Sequence, residues 1–500
     1  MNKIRKFANN LITPGGTLSQ RVVKSGFWVF LLRIFNQGFS LLRLIFLARI
    51  LSPNDFGLMG IALLTMSILE TFSQTGFQQA LIQKKEDIKS YLDSAWTYLI
   101  LRGFVLCVIL YFIAPYAAIF FNAKEVTLII KVIGFSEILK AFTNIGITYF
   151  QKELEFNKDF IYQLAGTLAD FIVAISAVLI LRNVWALVLG LLAGNITRCF
   201  VSYLIHPYRP RLHFNLGKVK ELFVFGKWIL GSSILVFLIT QGDDIFVGKL
   251  LGTTALGFYQ LAYRISNMPA TEITHVISQV TFSAYSKLQD NIPKLREAYL
   301  KVLQVTAFLS FPIAGLIFVL APDFTKIFLG EKWLPMVPAM QILAIWGGLR
   351  AIAVAGPIAN AIGKPKIGTK ISLVQLIVLG SLIYPLSARW GILGTSLAVV
   401  LSSLVTRIIS SYIIIKITRC ETTEFLKRIA FPIFSTVIMV LFIFLFKGYF
   451  AISVGLSSFF IYLGSGILLY FSIILLFDKL LHYRMQSIIR ECLILFGGKS

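Results

Sequence analysis

Charge is what this 500-residue sequence has least of. Asp, Glu, Lys and Arg together make 14% of it, and 57% is apolar. A soluble domain carries about 25% charged residues, so an ordinary soluble globule is excluded and an all-α polytopic membrane protein is expected. Acidic residues are the scarcer sign, 23 against 47 Lys and Arg, which leaves a net charge of +24. In a soluble protein that balance would suggest nucleic acid as a partner. Here the positive charge lies in short loops between apolar runs, so topology accounts for it and no nucleic acid is expected. Cysteine is rare. Cys107, Cys199, Cys420 and Cys492 show neither metal nor disulfide spacing and read as structural. The chain also lacks a Gly-rich phosphate loop, a nucleotide-binding signature and a plausible Ser/His/Asp set. No enzyme, cofactor or metal site is therefore expected. Uphill work would come from substrate supply or from an ion gradient, with H+ or Na+ as the coupling ion. There is no sign of a cleavable signal peptide: the first apolar run already has spanning length and follows a polar, basic start.

Apolar runs of spanning length fall near 27–48, 58–81, 95–121, 126–150, 160–181 and 184–205. A second set lies near 228–251, 257–286, 299–321, 336–360, 368–388 and 391–415, and two more near 429–446 and 452–477. The expected organisation is a basic N-terminus (1–26), an N-lobe of six spans (27–205) and a linker (206–227). A C-lobe of six spans (228–415), two further spans (416–477) and an amphipathic interfacial tail (478–500) complete it. With the N-terminus inside, about thirty Lys and Arg fall in inner segments and about eight in outer loops. That bias predicts both termini in the cytoplasm. Gly57 and Gly257 are then expected at the outer face and the linker at the inner one.

The two six-span sets are copies of one unit. RLIFLARILSPNDFGLMGIA, from Arg43, matches the stretch from Asp243 at an offset of 200, pairing Phe46 with Phe246, Arg49 with Lys249, Gly57 with Gly257 and Ala62 with Ala262. LKAFTNIG at Leu139 matches LRAIAVAG at Leu349 at an offset of 210, with Lys140 and Arg350 as the shared basic position. Six is an even number, so the copies share one orientation. Parallel repeats of this kind are expected to hold a substrate site between lobes.

Charges inside the spans are the candidate functional residues, because each is costly at membrane depth. Some, such as Arg102, Lys131, Arg198 and Arg407, lie near span ends and read as snorkelling. Glu137 and Lys140, three apart on one helix, are placed to neutralise each other. Arg43, Arg264, Lys140 and Arg350 are expected to lie deeper and to form an anion-binding cavity, for which guanidinium forks are well suited. Asp243, Asp244, Asp170, Glu272 and His275 are the candidates for ion coupling or gating. Asp243 stands where Arg43 stands in the first copy, so an Arg43–Asp243 gate pair is expected, with a static lobe–lobe bridge as the alternative. Glu272 and His275 would relay protons or form an interhelical hydrogen bond near Pro269, which is expected to kink its helix.

LARILSPNDFGLMGIA and, more specifically, GDDIFVGKLLGTTALGFYQLAYRISNMP resemble the multidrug/oligosaccharidyl-lipid/polysaccharide exporter superfamily, over essentially the whole chain. Within it the likeness is to Wzx-type polysaccharide flippases of the WzxC-like branch. The resemblance implies a flippase that moves undecaprenyl-diphosphate-linked oligosaccharide across the bacterial cytoplasmic membrane by alternating access, for O-antigen, capsule or exopolysaccharide. It implies membrane lipids as surroundings and the polysaccharide polymerase and chain-length machinery as partners. Arg43 and Arg264 match cavity arginines of the related lipid II flippases. The chain departs from that subgroup at Leu69-Glu70, where an arginine pair is expected, and at Leu44, which argues against lipid II as substrate. Two other readings stay open: a cation-coupled drug exporter of the same superfamily, whose cavity should be acidic or apolar, and a membrane-embedded polymerase or ligase, which should carry a large external loop.

Overall fold

The computed structural model describes the backbone of residues 18–481 and 483, except 75, 84–87, 352–354, 365 and 451–454. Side chains at 18–25, 83, 222–230, 232, 269–270, 272–280, 282–284, 351, 355–357, 450 and 481 stand outside the described set as well. The expected tail helix therefore lies almost wholly outside the described residues. Among them there is no strand, only helix and connecting turns. A bilayer interior offers no water to backbone N–H and C=O groups, and a helix satisfies them within one segment.

Two compact units divide the chain: residues 1–237 with 252–257, and residues 238–251 with 258–500. The first holds α1 (Leu18–Ile50), α2 (Pro53–Phe72), the short α3 (Phe77–Gln83), α4 (Lys89–Phe120), α5 (Val126–Ala141), the short α6 (Thr148–Lys152), α7 (Phe156–Leu181) and α8 (Trp185–Ile205). Helices α9 (Leu216–Leu250) and α10 (Thr253–Leu288) each contribute to both units. The second continues with α11 (Ile292–Phe324), α12 (Val337–Ala351), α13 (Ala355–Ala361), α14 (Lys366–Thr418), α15 (Thr422–Phe450) and α16 (Leu456–Leu481). Gly391, at φ +56°, bends α14 into two helices, in keeping with the two spans expected there. Nine described helices are long and apolar enough to cross a membrane. Their outward faces expose Phe112, Ile119, Ile180, Phe444 and Leu468, apolar surface that water would not tolerate and lipid does.

The span expected near 126–150 is not one continuous helix: α5 ends at Ala141 and, after a 3-10 turn, the chain re-forms as α6. Sixteen residues rise about 24 Å, less than a hydrocarbon core of about 30 Å. The break puts Lys140 in the last turn of its helix rather than deep within it. Helix α10, in contrast, is helical throughout, Pro269 included.

Two repeat-related helix starts have local causes. Ser52 opens α2 with a capping box: its Oγ accepts from the Asp55 N–H at 3.2 Å, and Asp55 Oδ2 accepts from the Ser52 N–H at 2.9 Å. The repeat-related start of α10 lacks that box and uses Gly252 at φ +87°. These two helix starts cross in the first unit. A β-carbon at Gly57 would fall inside the van der Waals radius of Thr253 O, and one at Gly257 inside that of Pro53 O. The contact is reciprocal at the 200-residue offset, and Thr253 Oγ1 donates to Asn54 Oδ1 across it.

The linker is tied to the first unit. Asp93 Oδ1 on α4 accepts from Tyr208 OH at 2.7 Å and from the Arg211 N–H at 2.8 Å, and the His213 N–H donates to Thr97 Oγ1 at 3.0 Å. His206 stacks on Tyr149, and its Nδ1 accepts from the Tyr208 N–H at 3.1 Å. Burial, helped by Lys158 and Arg209, pushes the His206 pKa below the ordinary histidine value, which suits an accepting, neutral ring. In the second unit α11 carries two cores. One joins Tyr299 and Leu303 to Ile414 and Phe425, and the other joins Phe308 and Leu320 to Met439, Ile443, Tyr462 and Tyr470. The last two helices thus share a buried core with α11.

The glycine crossing changes which positions report topology, since a cysteine at Gly57 or Gly257 would wedge the contact. In a cysteine-free background, Lys124→Cys and Lys332→Cys, both at exposed turns, are expected to react with an impermeant maleimide from outside, and Arg211→Cys only from inside. The reverse pattern would overturn the orientation. Gly57→Ala and Gly257→Ala should each lower the melting temperature, by the equivalent of about 1–3 kcal/mol of overpacking.

Candidate functional site

Among the buried charges of the first unit, two groups stand out. Arg43 on α1 meets Asp170 on α7, Nη2 to Oδ1 at 2.9 Å, with both side chains largely buried. Asp170 has room because α8 opposes it with glycine: a β-carbon at Gly190 would crowd Asp170 Oδ1, and one at Gly194 would stand 3.1 Å from its Cβ. Small residues four apart let membrane helices approach closely. The second group is at the ends of α2 and α5. Lys140 Nζ lies 2.8 Å from both Glu70 Oε1 and Glu137 Oε1. Arg102 completes it by donating from Nε to Ser73 O at 3.0 Å and from Nη2 to Glu70 O at 3.2 Å, the last carbonyls of α2. Two carboxylates and two cations balance.

The second unit holds the paired aspartates. Asp243 is 2% exposed, and its Oδ2 accepts from Tyr259 OH at 2.6 Å. Asp244 Oδ2 accepts from Gln260 Nε2 at 3.1 Å. Neighbours on a helix project about 100° apart, so one partner cannot serve both aspartates. Two adjacent partners on α10 do. From Tyr259 an aromatic run continues through Tyr263 to Trp346, ring centroids 5.3 Å apart, and Arg350 lies over the Trp346 ring at 5.3 Å. Arg350 Nη1 also donates to Thr271 Oγ1 at 3.3 Å. Arg264, in the first half of α10, is exposed.

The sequence-based candidates are therefore distributed as follows. Arg43 pairs with Asp170 inside the first unit, and Asp243 accepts from Tyr259 inside the second. Asp170, expected in ion coupling or gating, is the partner of Arg43. Lys140 keeps the expected Glu137 and gains Glu70, so its charge is offset. Glu272 and His275 have side chains outside the described residues. Among the described residues no group of His, Cys, Asp and Glu is placed to hold a metal ion. Tyr259, Gln260 and Arg102 were not singled out as site residues, yet the repeat carries a signal for two of them. Arg43-Leu44 and Met59-Gly60 in the first copy become Asp243-Asp244 and Tyr259-Gln260 in the second. Polarity changes at both places together, as it must if the two positions touch.

Residues 46–338 match the model of a family described as polysaccharide biosynthesis protein. The chain belongs to that family. Among curated members of similar sequence, the lipopolysaccharide biosynthesis protein WzxC of Escherichia coli (strain K12) is 26% identical over 80% of this chain and 82% of its own. The teichuronic acid biosynthesis protein TuaB of Bacillus subtilis (strain 168) is 29% identical over 55% of this chain and 58% of its own. The fold of this family member is that of the lipid II flippase MurJ in an inward closed conformation, with a TM-score of 0.75 at 15% identity, over 91% of this chain and 99% of that one. A multidrug resistance MATE family transporter of the MOP superfamily in an inward-facing conformation follows, with a TM-score of 0.62 at 15% identity over 77% and 95%. The chain is a multi-pass membrane protein with this all-α transporter fold.

The Arg43–Asp170 pair is testable as a pair. Arg43→Leu leaves a carboxylate without its main partner at depth and should destabilise by about 1–3 kcal/mol, a discounted value for a pair that keeps some exposure. Arg43→Leu with Asp170→Leu should recover most of that loss in detergent melts. A double variant no more stable than the single one would show that the pair is not the source.

Proposed function

We propose that this protein flips undecaprenyl-diphosphate-linked oligosaccharide across the cytoplasmic membrane by alternating access, for a surface polysaccharide. It is a transporter and not an enzyme in this reading, with both termini in the cytoplasm and the polymerase and chain-length machinery as downstream partners. Family membership supports polysaccharide biosynthesis. The observation that carries the choice within the transporter fold is Arg264, an exposed guanidinium and the one charged residue between Thr253 and Thr271 of α10. A cation exposed to lipid there would cost several kcal/mol. It is tolerated on a wet face, where a diphosphate or acidic sugar is its natural ligand. A drug exporter for cations has no use for it. Arg43 adds to the site only when an anion competes with Asp170, and Glu70 stands as the partner of Lys140 where lipid II flippases have arginine.

Arg264→Ala should abolish surface polysaccharide in cells dependent on this chain, with unchanged protein in the membrane and lipid-linked intermediates accumulating on the inner leaflet. Arg264→Lys should restore only part, since a point charge lacks the bidentate fork. Full export by the alanine variant would defeat the reading.

The buried Asp243–Tyr259 and Asp244–Gln260 contacts support a coupling role for the aspartates. If they bind the coupling ion, Asp243→Asn or Asp244→Asn should change how flipping in vesicles depends on the proton or Na+ gradient. Wild-type gradient dependence in both variants leaves them a structural part only.

A further inference from the structure

A cavity of about 340 Å³ opens in the first unit where α2, α4, α5 and α8 end or begin, on the side the charge bias assigns to the cytoplasm. Three cations line it, Arg102, Lys140 and Arg198, and no Asp or Glu is among its lining residues. The rest of the wall is rich in amide and hydroxyl groups, with Asn144, Asn195 and Thr148 among them.

The cations are not equivalent. Lys140 is offset by Glu70 and Glu137, and Arg102 spends its donors on the carbonyls that end α2. Arg198 has no ion pair among the described residues, and its buried Nε has no protein acceptor. Its stem is laid across Gly166 of α7, where a β-carbon would collide with Arg198 Cγ. One turn earlier on the same helix, Asn195 is only 6% exposed, and its Nδ2 is also buried without an acceptor. Two buried donors without an acceptor are costly to leave unpaired. Both are N–H groups, so the ligand that satisfies them must bring oxygen, and beside an unneutralised guanidinium it brings negative charge.

We infer that this cavity is a binding site for a phosphate-class anion, separate from Arg264, held by Arg198 and Asn195 and entered from the inner side. Arg198 supplies the charge and Asn195 a directional donor. Asn144 is not free to help: its Nδ2 donates to Tyr208 O of the docked linker at 2.7 Å, and its Oδ1 accepts from the Gly146 N–H. The phosphate comes from one of two sources, a lipid-linked diphosphate at the inner leaflet or a free soluble phosphate. The recognising chemistry is the same for both.

Binding is measured on the purified full chain in phosphatidylcholine nanodiscs, by thermal shift, with inorganic pyrophosphate and farnesyl diphosphate as probes. The readout is independent of transport, so its failure leaves the flippase reading standing, and loss of flipping in other variants leaves this site standing. A saturable rise in melting temperature is expected with at least one probe. A larger rise at lower concentration with farnesyl diphosphate assigns the lipid-linked source, and an equal or larger rise with pyrophosphate assigns the free one. Asn195→Leu, close in size, should abolish the shift while leaving the ligand-free melting temperature equal or higher, because a buried orphan donor is removed. A purely structural asparagine would lower it. Arg198→Gln should weaken binding at least tenfold and serves if Asn195→Leu fails to fold. No shift with either probe, or a shift unchanged in both variants, overturns the proposal.

Discussion

A polar group inside a bilayer finds its partner in the protein or not at all, and most of this structure follows from that constraint. It explains the all-helical backbone and, at the next level, the arrangement of charge. Arg43 is met by Asp170, Lys140 by Glu70 and Asp243 by Tyr259, in each case between helices, while Glu137 meets Lys140 from one turn earlier on the same helix. Such contacts act as registers. Because a lost partner costs more than a good pair contributes, each holds its two helices at one rotation and one axial position. Arg102 shows the same economy at a helix end, where its guanidinium serves the carbonyls that α2 leaves without intrahelical partners.

Close approach of helices is the second requirement, and glycine meets it at specific places. Gly190 and Gly194 bring α8 against Asp170, Gly166 receives the Arg198 stem, and Gly57 and Gly257 allow two helix starts to cross almost backbone to backbone. The last contact is the clearest physical trace of the internal duplication, because each glycine meets the repeat-equivalent of the residue the other meets. A transport cycle built on this fold has to keep or break that crossing as a unit, since neither half of it has room to adjust separately.

Function divides along the same lines. Polar groups that are fully engaged, such as Glu137 and Lys140, serve assembly of the helices. Arg264 in the second unit is exposed, and Arg198 Nε and Asn195 Nδ2 in the first are buried without an acceptor, which is what the two binding proposals rest on.

Hydropathy was enough to read the all-α membrane class, and matched stretches at a constant offset the internal repeat, because each depends on the sequence along a segment and not on what the segment faces. The matched change from Arg43-Leu44 and Met59-Gly60 to Asp243-Asp244 and Tyr259-Gln260 was legible too, once the two copies were aligned. Tertiary structure alone decided that α5 stops short, that Asp170 meets Arg43, that Asp93 anchors the linker, and that Arg198 lines a cavity. Each of these depends on the rotation of one helix about its axis against another. That angle is set by side-chain packing summed over several neighbouring helices, and no single stretch of sequence contains it.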